Sequence, residues 1–442
     1  MAKDAHMLNA FDSSALGALS HNDAALVKKR AQVLSPGYRL FYDEPLHIVR
    51  GQDVYLYDES GRAYLDAYNN VASIGHCRPE VVEAICRQAQ TLNTHTRYLH
   101  EAVLQYAQDL TATLPSAISQ AIFTCTGSEA NDLALRVAQA ATGGRGVIVT
   151  ELAYHGVTQA VAAISPSLGT GVPLGTHVRT VACPDTYLYS GQEIAERFTS
   201  SVRAAIADLQ SHGIQPSALV LDSIFSSDGV YADPPGFLQG AVDAIHEAGG
   251  LYIADEVQSG FARTGSHMWG FMRHGVMPDI VTMGKPMGNG HPVAALVAQP
   301  QVLQQFGGQA RYFNTFGGNP VSMAAAAATL QVIQTEKLQA NAAYIGQYIR
   351  DGFKALSAKH GVIGDVRGDG LFIGVELVLD REKKTPAKSQ THAVVNHMRR
   401  SGVLISATGT RGNVLKIRPI LTFTQAHADQ LLAAADHALA QI

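Results

Sequence analysis

Two segments of the sequence place an acid and an amine where they could act together. Asp255 and Glu256 end an apolar run in "IADEVQSGFARTG" (253–265), and Lys285 stands between glycine-rich turns in "TMGKPMGNGHP" (282–292). A carboxylate can pair with a ring nitrogen of a cofactor, and a lysine can form a Schiff base with an aldehyde. Taken singly, an acid after a buried strand often only caps the next turn, and a loop lysine is usually solvated. The pair therefore needs a third feature before it indicates chemistry.

The third feature is a helix start that can bind an anion. In "TCTGSEANDLAL" (124–135) an apolar run passes through Gly127 to Ser128, and apolar residues then recur at helical spacing. Ser128 is a plausible N-cap, and the free N–H groups of a helix start bind phosphate, with the serine hydroxyl as a further donor. The alternative is that Gly-Ser only caps the helix. No lysine follows at the spacing of a P-loop, so that motif is excluded.

Together these features match the requirements of pyridoxal 5'-phosphate. This cofactor needs an anchor for its phosphate, an acid beside its pyridinium nitrogen and an amine that forms a Schiff base. Gly127 with Ser128, Asp255 and Lys285 supply these groups in turn. Asp255 would keep the ring nitrogen protonated, so that the ring accepts the electrons of a breaking C–H bond. Lys285, once released by an incoming amine, would be free to move a proton.

The elements that must position these residues alternate between strands and helices. Residues 128–141 and 236–248 show helical spacing, and six short apolar runs predict strands. The runs are "AIFTCT" (121–126), "GVIVT" (146–150), "ALVLD" (218–222), "LYIAD" (251–255), "DIVTM" (279–283) and "PVAALVA" (292–298). This alternation predicts an α/β fold with a mostly parallel sheet and helices on both faces. Asp255 and Lys285 follow strands, and loops at the carboxyl ends of such strands form the ligand site.

Changes in this pattern divide the chain into three parts. Residues 1–75 are predicted to form an N-terminal arm, with a short amphipathic stretch at 22–34, and part of a small domain. Residues 76–327 form the large cofactor-binding domain, in which the Gly-, Pro-, Ser- and Thr-rich stretch 164–192 is predicted to be a long loop near the site. Residues 328–442 form a smaller C-terminal domain with strands at 370–378, 402–406 and 414–419.

Composition limits the possible functions. The chain has 442 residues, 46% of them hydrophobic, a formal net charge of −4 and a pI near 6.5. This balance gives no general attraction for nucleic acid or an anionic membrane. The four cysteines form no C-x-x-C pair, so neither a disulfide framework nor a metal site is predicted. No segment suits a secretory signal or a membrane span. We expect a soluble, cytoplasmic protein that binds neither nucleic acid nor membrane.

Five ordered motifs resemble those of the class III pyridoxal-phosphate-dependent aminotransferases of fold type I, over nearly the whole chain. They are "TGSEAND" (126–132), "AYHG" (153–156), "IADEVQSGFARTG" (253–265), "DIVTMGKPMGNGHP" (279–292) and "YFNTFGGNP" (312–320). The resemblance implies a large domain with a mostly parallel sheet flanked by helices and a smaller α+β domain. It also implies that Lys285 forms the Schiff base, that Asp255 pairs with the pyridinium nitrogen and that Gln258 hydrogen-bonds the ring hydroxyl.

The same resemblance assigns residues around the phosphate and the ring. Gly127 and Ser128 hold the phosphate, Tyr154 covers the ring face with His155 beside it, and Thr315 reaches the phosphate from the neighbouring subunit. This last role implies a homodimer with shared active sites, and the choice between dimer and tetramer stays open. A tyrosine ring can stack on a pyridine, although a Tyr-His pair in a loop is otherwise ordinary packing.

Within the family, four segments resemble the ethanolamine-phosphate phospho-lyases, which release acetaldehyde, ammonia and phosphate from a small phosphorylated amine. They are "YLDAYNNVASIGHC" (64–77), "RYLHE" (97–101), "PDTY" (184–187) and "MGKPMGNGHPVA" (283–294). Members similar to alanine–glyoxylate aminotransferase share "IADEVQ" and "FNTFGGNP", so amine transfer to a keto acid is the alternative. A non-catalytic protein with this fold is a third interpretation, which the presence of both Lys285 and Asp255 disfavours.

Three positions bear on the choice between these activities. Asp222 in "LVLDSIF" stands where many members have a glutamate that pairs with an arginine for alternate carboxylate substrates, which weakens the case for ordinary transamination. Arg418 in "KIRP" matches the family's substrate-carboxylate arginine, but a guanidinium binds phosphate as readily, so Arg418 is our candidate for binding the substrate. Arg78 replaces the usual histidine in "GHCRP", with no consequence that the sequence reveals.

Overall fold

The computed structural model describes residues 8–442, which form sixteen strands and twelve α-helices. The strands are β1 (Ile48–Gln52), β2 (Tyr55–Asp58), β3 (Ala63–Asp66), β4 (Gln120–Thr124), β5 (Gly146–Thr150), β6 (Val178–Val181), β7 (Pro216–Asp222), β8 (Leu251–Asp255), β9 (Ile280–Met283), β10 (Ala294–Ala298), β11 (Ile363–Asp369), β12 (Phe372–Asp380), β13 (Thr385–Pro386), β14 (Val403–Leu404), β15 (Ser406–Thr408) and β16 (Val414–Ile417). The helices are α1 (His21–Val33), α2 (Pro79–Thr91), α3 (Glu101–Thr111), α4 (Gly127–Thr142), α5 (Gln159–Ala162), α6 (Gly191–Ser211), α7 (Gln239–Glu247), α8 (Pro300–Gln309), α9 (Pro320–Thr335), α10 (Leu338–Lys359), α11 (Lys388–Arg400) and α12 (Gln425–Leu439).

Seven strands form the large sheet, in the order β4-β10-β9-β8-β7-β5-β6. Strands β9, β8, β7, β5 and β6 run parallel, and β10 is antiparallel to both of its neighbours, β4 and β9. Strand β4 therefore points in the same direction as the parallel strands. The carboxyl ends of β4, β5, β7, β8 and β9 lie along one edge of the sheet, which is where ligands bind in such folds.

Helices cover this sheet because its strands are apolar along their whole length. All residues of β5 and β10 are buried, which is the pattern of a strand covered on both faces. In α4, Leu133, Ala134 and Val137 recur at helical spacing and pack into the core on one face of the sheet. Strand pattern and helix pattern together confirm the predicted α/β fold.

Two smaller sheets combine residues from both ends of the chain. One has the order β1-β2-β3-β14, in which β3 pairs in parallel with β14, so that residues 48–66 share a sheet with a C-terminal strand. The other has the order β11-β12-β16-β15, with β13 paired to β12. On this basis we propose that residues 328–442 and the described part of 1–75 form one small domain and that 76–327 form the large one.

The stretch 164–192, predicted to be a long loop, contains regular structure. Residues Pro166–Leu168 form a short 3₁₀-helix, and β6 adds to the edge of the large sheet beside β5. The sequence hides β6 because only its first and last residues are apolar, and an edge strand needs no continuous apolar run. Within residues 8–442, no helix is long and apolar enough to cross a bilayer.

Candidate active site

Asp255 ends strand β8, and nitrogen atoms of three residues hold its buried carboxylate. Oδ2 accepts a hydrogen bond from Asn131 Nδ2 (2.9 Å) and lies 2.6 Å from His155 Nδ1, while Oδ1 accepts one from the Val257 N–H (3.0 Å). Asn131, on α4, is itself fixed, since its Oδ1 accepts a hydrogen bond from Thr282 Oγ1 (2.6 Å). The carboxylate therefore has one defined orientation at the carboxyl edge of the sheet.

Lys285 follows β9, the strand next to β8, and its Nζ lies 5.8 Å from the centre of the Tyr154 ring. Burial lowers the pKa of Lys285, although the charge of Asp255 acts in the opposite direction. A lysine with a lowered pKa has more of the nucleophilic amine form at neutral pH. A side chain at Gly284 would lie 3.3 Å from Gly127, so glycine lets the lysine segment pack against the start of α4.

The N-cap of α4 is Thr126, and the prediction of Ser128 was wrong by two residues. The Thr126 side chain accepts a hydrogen bond from the Glu129 N–H, and the Glu129 carboxylate accepts one from the Thr126 N–H. This capping box decides between the two hydroxyl residues. Gly127 and Ser128 become the first helical residues, whose N–H groups have no intrahelical acceptor. Ser128 Oγ accepts the Val157 N–H (3.1 Å), which leaves the hydroxyl hydrogen available to an anion.

Seven of the nine predicted site residues line a single cavity. Its lining consists of Gly127, Ser128, Tyr154, His155, Gly156, Asp222, Asp255, Val257, Gln258 and Lys285. Gly156 has a φ of 141°, and a Cβ there would lie 2.4 Å from Ser128 Oγ, so glycine allows the Tyr154 loop to approach the helix start. Thr315 is exposed and lies outside the lining, and Arg418 is buried beyond Gln258.

The residues of this cavity fit pyridoxal 5'-phosphate. A helix start with two N–H groups and a hydroxyl suits the phosphate, and the fixed carboxylate of Asp255 suits a pyridinium nitrogen. Lys285 provides the amine, and the partly exposed ring of Tyr154 beside it can stack on the cofactor ring. The set of donors thus matches the cofactor, and we propose the role of each residue on that basis.

Gln258 connects the cavity to Arg418. Its Oε1 accepts a hydrogen bond from Arg418 Nη1 (2.6 Å), and its Nε2 donates to Ser226 Oγ (2.6 Å). The guanidinium also lies 4.4 Å from the centre of the Tyr68 ring. Burial lowers the pKa of Arg418. Within residues 8–442 no carboxylate forms an ion pair with Arg418, although the charges of Asp66 and Asp222 act on it from nearby.

Lys416 is a second buried basic residue, and the sequence prediction missed it. It precedes Arg418 by two residues at the end of β16, which places both side chains on the same face. Its side chain forms no hydrogen bond or ion pair with any described residue. Burial lowers the pKa of Lys416 well below the ordinary value, and Arg418 and Lys285 add to this effect against Asp222 and Asp228. The period of two along the strand predicts that Lys416 shares a face with Arg418, but it does not predict that this face is buried.

A family model described as "Aminotransferase class-III" matches residues 41–439. The chain belongs to this family. Class III aminotransferases depend on pyridoxal 5'-phosphate, and a similar solved amine transaminase from an uncultivated Pseudomonas species is described in its PLP-bound form, with a TM-score of 0.83 at 27% identity. The protein is therefore an enzyme of a pyridoxal-phosphate-dependent family with the fold type I architecture, as the sequence motifs predict.

The relatives of this chain include proteins that are named for each of the two predicted activities. The "Alanine--glyoxylate aminotransferase 2-like" protein of Drosophila melanogaster is 42% identical over 419 residues, which cover 92% of this chain and 85% of the relative. "Ethanolamine-phosphate phospho-lyase homolog 1" of Caenorhabditis elegans is 34% identical and covers 98% of this chain and 97% of the relative. A solved phospholyase from Arthrobacter in complex with phosphoethanolamine has a TM-score of 0.92 at 43% identity and covers 94% of this chain and 100% of its own.

Asp222, the first residue that departs from the class III pattern, forms its hydrogen bonds within its own loop. Its carboxylate accepts hydrogen bonds from the N–H groups of Ile224 (3.2 Å) and Ser226 (3.0 Å). Burial raises the pKa of Asp222, and the charge of Asp255 acts in the same direction. In the described chain Asp222 forms no ion pair with Arg418. The acid–arginine pair expected of a dual-substrate aminotransferase is therefore not formed here.

Arg78, the second departure, lies outside the site and supports the fold. It immediately precedes α2, and its guanidinium pairs with Glu80 (2.7 Å) and with Glu336. Glu336 follows the last residue of α9, so Arg78 ties the start of one helix to the end of another. This contact gives the substitution a structural role.

Proposed function

We propose that this class III enzyme eliminates phosphate from O-phosphoethanolamine. The observation that carries the proposal is the pair of buried basic side chains, Lys416 and Arg418, neither of which forms an ion pair with a carboxylate within residues 8–442. Two basic side chains without a paired carboxylate suit a dianionic phosphate better than a single carboxylate, because an incoming dianion favours the protonated form of Lys416 and hydrogen bonds between charged groups are the strong ones. The similarity to the Arthrobacter phospholyase supports the same reaction.

Each residue of the site has a role in this reaction. The bound cofactor accepts the electrons of a breaking C–H bond. Asp255 presents its negative charge where the ring nitrogen would lie, and Lys285 takes the proton from the amine-bearing carbon, for which its lowered pKa suits it. Lys416 and Arg418 stabilise the charge that develops on the departing phosphate.

The reaction breaks a C–H bond at the amine-bearing carbon and the C–O bond at the adjacent carbon. Phosphate leaves with the electron pair of the C–O bond. The remaining enamine reacts with one water and gives acetaldehyde and ammonia. The amino group is released and not stored on the enzyme, so the reaction consumes no keto acid.

Amine transfer to a keto acid is the second candidate. The identity of 42% to the fly alanine–glyoxylate aminotransferase 2-like protein favours it. Both reactions require Lys285 and Asp255, and they diverge after the proton has left the substrate carbon. In amine transfer, Lys285 would pass that proton to the bound cofactor instead of taking part in the loss of phosphate, and Arg418 would bind a substrate carboxylate.

Incubation of the purified holoenzyme with O-phosphoethanolamine and no keto acid separates the two reactions. We expect phosphate and acetaldehyde to be released in equal amounts over many turnovers. An absence of phosphate, together with robust pyruvate-dependent transfer from amines, would assign the enzyme to the aminotransferases.

We also infer a homodimer with shared active sites, or a tetramer built from such dimers. Thr315 is exposed in the single chain and lies outside the cavity lining, which fits a residue that reaches the site of a partner. Leu99 and Phe316 are 96% and 69% exposed, which fits residues that a second chain covers.

The cellular location that we propose is the cytoplasm. All four cysteines are unpaired, as expected in a reducing compartment. Some relatives have "mitochondrial" in their names, so the mitochondrion is the alternative. Fractionation of the source cells, followed by immunodetection, distinguishes the two.

A further inference from the structure

The loop after β7 holds Ser226 from three sides. Its N–H donates to Asp222 Oδ2 (3.0 Å), its carbonyl accepts a hydrogen bond from Thr408 Oγ1 (3.1 Å), and its hydroxyl accepts one from Gln258 Nε2 (2.6 Å). Ser226 is 0% exposed. The hydroxyl therefore has a fixed position relative to the Gln258 amide.

Arg418 determines which way the Gln258 amide faces. A guanidinium can only donate hydrogen bonds, so the amide atom 2.6 Å from Arg418 Nη1 must be Oε1. The amide nitrogen then faces Ser226, whose hydroxyl accepts its hydrogen. The three side chains form a hydrogen-bond relay with one direction, from Arg418 through Gln258 to Ser226, whose hydroxyl donates in turn to the Asp222 carboxylate.

This relay fixes Arg418 without neutralising it. Gln258 and Ser226 carry no charge. Two acids lie near Arg418, and both have other partners: Asp222 accepts hydrogen bonds from backbone N–H groups and from the Ser226 hydroxyl, and Asp66 lies 2.8 Å from the His76 ring nitrogen. A carboxylate in place of the amide would compete with an anionic substrate for the guanidinium. The arrangement thus combines a defined position for Arg418 with a charge that stays available.

We propose that Ser226 is a positioning residue, which fixes Arg418 through Gln258 for the anionic group of the substrate. The identity of that group as phosphate rests on the proposed function. Without the Ser226 hydroxyl, the amide N–H loses its acceptor and the amide can rotate away from Arg418. The expected consequence is weaker binding of the anion, with the chemistry of Lys285 unchanged.

Binding of inorganic phosphate to the holoenzyme, measured by calorimetry, tests this role. Ser226→Ala should weaken the affinity about two- to tenfold, the effect of one lost hydrogen bond, and should raise KM for O-phosphoethanolamine similarly with little change in kcat. Ser226→Thr keeps a hydroxyl and should restore most of the affinity. Ser227→Ala is the matched control, because this side chain forms no hydrogen bond in the described chain, and it should bind phosphate like the wild type.

Repeating the Ser226→Ala substitution in a second variant, Arg418→Met, distinguishes the positioning of Arg418 from a general loss of structure. In Arg418→Met, which can still bind phosphate through Lys416, Ser226→Ala should have no further effect, since the group that it positions is gone. Melting temperatures identify variants that do not fold. If Ser226→Ala does not fold, Ser226→Cys takes its place in the test, because a thiol is similar in size to the hydroxyl but is only a weak hydrogen-bond acceptor.

Two results overturn the inference: wild-type phosphate affinity in a folded Ser226→Ala protein, or an equal loss of affinity in both backgrounds. The proposed function can fail independently. If phosphate binding depends on Ser226 as described, but the wild type releases no phosphate from O-phosphoethanolamine, then the lyase assignment is wrong and the role of Ser226 stands.

Discussion

Nδ1 of His155 lies 2.6 Å from Oδ2 of Asp255, and both side chains are buried. The other ring nitrogen, Nε2, is buried without a hydrogen-bond partner among residues 8–442. An N–H at that position would have no acceptor, whereas an N–H on Nδ1 points to the Asp255 carboxylate. Asp255 then receives hydrogen bonds from three residues, which stabilise the negative charge that a pyridinium nitrogen requires.

Asp255→Ala should lower kcat on the order of 100-fold or more, because the charge opposite the ring nitrogen is lost. The covalent link between Lys285 and the cofactor should still form, since the amine is unchanged. Turnover and the absorbance of the bound cofactor, recorded on one sample, check both parts. Wild-type turnover in this variant would remove Asp255 from the mechanism.

Asn131→Ala should lower the free energy of unfolding by about 1–3 kcal/mol. The buried Asp255 carboxylate loses a donor, and the Thr282 hydroxyl loses its acceptor. Chemical denaturation of the cofactor-free protein measures the change. Gln139→Ala, at an exposed position of the same helix, is the control and should stay within about 0.5 kcal/mol of the wild type. An equal loss in both variants contradicts this explanation.

Sequence patterns predict a strand or helix well where residues close together in the chain determine its position. Strands β5 and β8 coincide with predicted apolar runs, because a strand buried on both faces needs apolar residues throughout. Apolar spacing alone does not determine the start of α4, since Thr126 and Ser128 can both cap a helix and the Glu129 side chain decides between them. Local patterns therefore predict elements better than they predict the ends of elements.

Contacts between distant segments could not be predicted from spacing. Gln258 and Arg418 are 160 residues apart, and their hydrogen bond depends on how the end of β16 packs against the edge of the large sheet. Lys416 is harder still, because a lysine near the end of a strand is usually solvated. Only tertiary structure shows that it is buried and lacks a partner in the described chain.

Borohydride reduction of the holoenzyme should label Lys285, as peptide mapping can show, and a pyridoxyl group on another lysine would refute the assignment.

Burial lowers the pKa of Lys285, so its amine form predominates from a lower pH than in a free lysine. The rate at which the cofactor-free protein takes up cofactor should therefore rise with pH and reach a plateau below about pH 10.4. A rate that still rises through that pH contradicts the lowered pKa.

Thr315→Ala should weaken cofactor binding about 10- to 100-fold, the effect of losing one hydrogen bond to a charged phosphate. The reason is that Thr315 is exposed and does not line the cavity of its own chain, so it can contact the cofactor in the active site of a partner subunit. Cofactor titration measures the affinity, and light scattering should show at least a dimer. A fully active monomer would exclude the shared site.

Lys416→Met should weaken binding of O-phosphoethanolamine on the order of tenfold or more, because the phosphate loses a charged partner. The wild type should also show a pH dependence of defined sign. Burial lowers the pKa of Lys416, so the free enzyme loses this ammonium proton as the pH rises through the lowered pKa, and KM for the substrate then rises. Lys416→Arg keeps its charge to higher pH and should remove this part of the rise. The groups of the substrate titrate identically with both proteins, so identical pH profiles would show that Lys416 does not bind the phosphate.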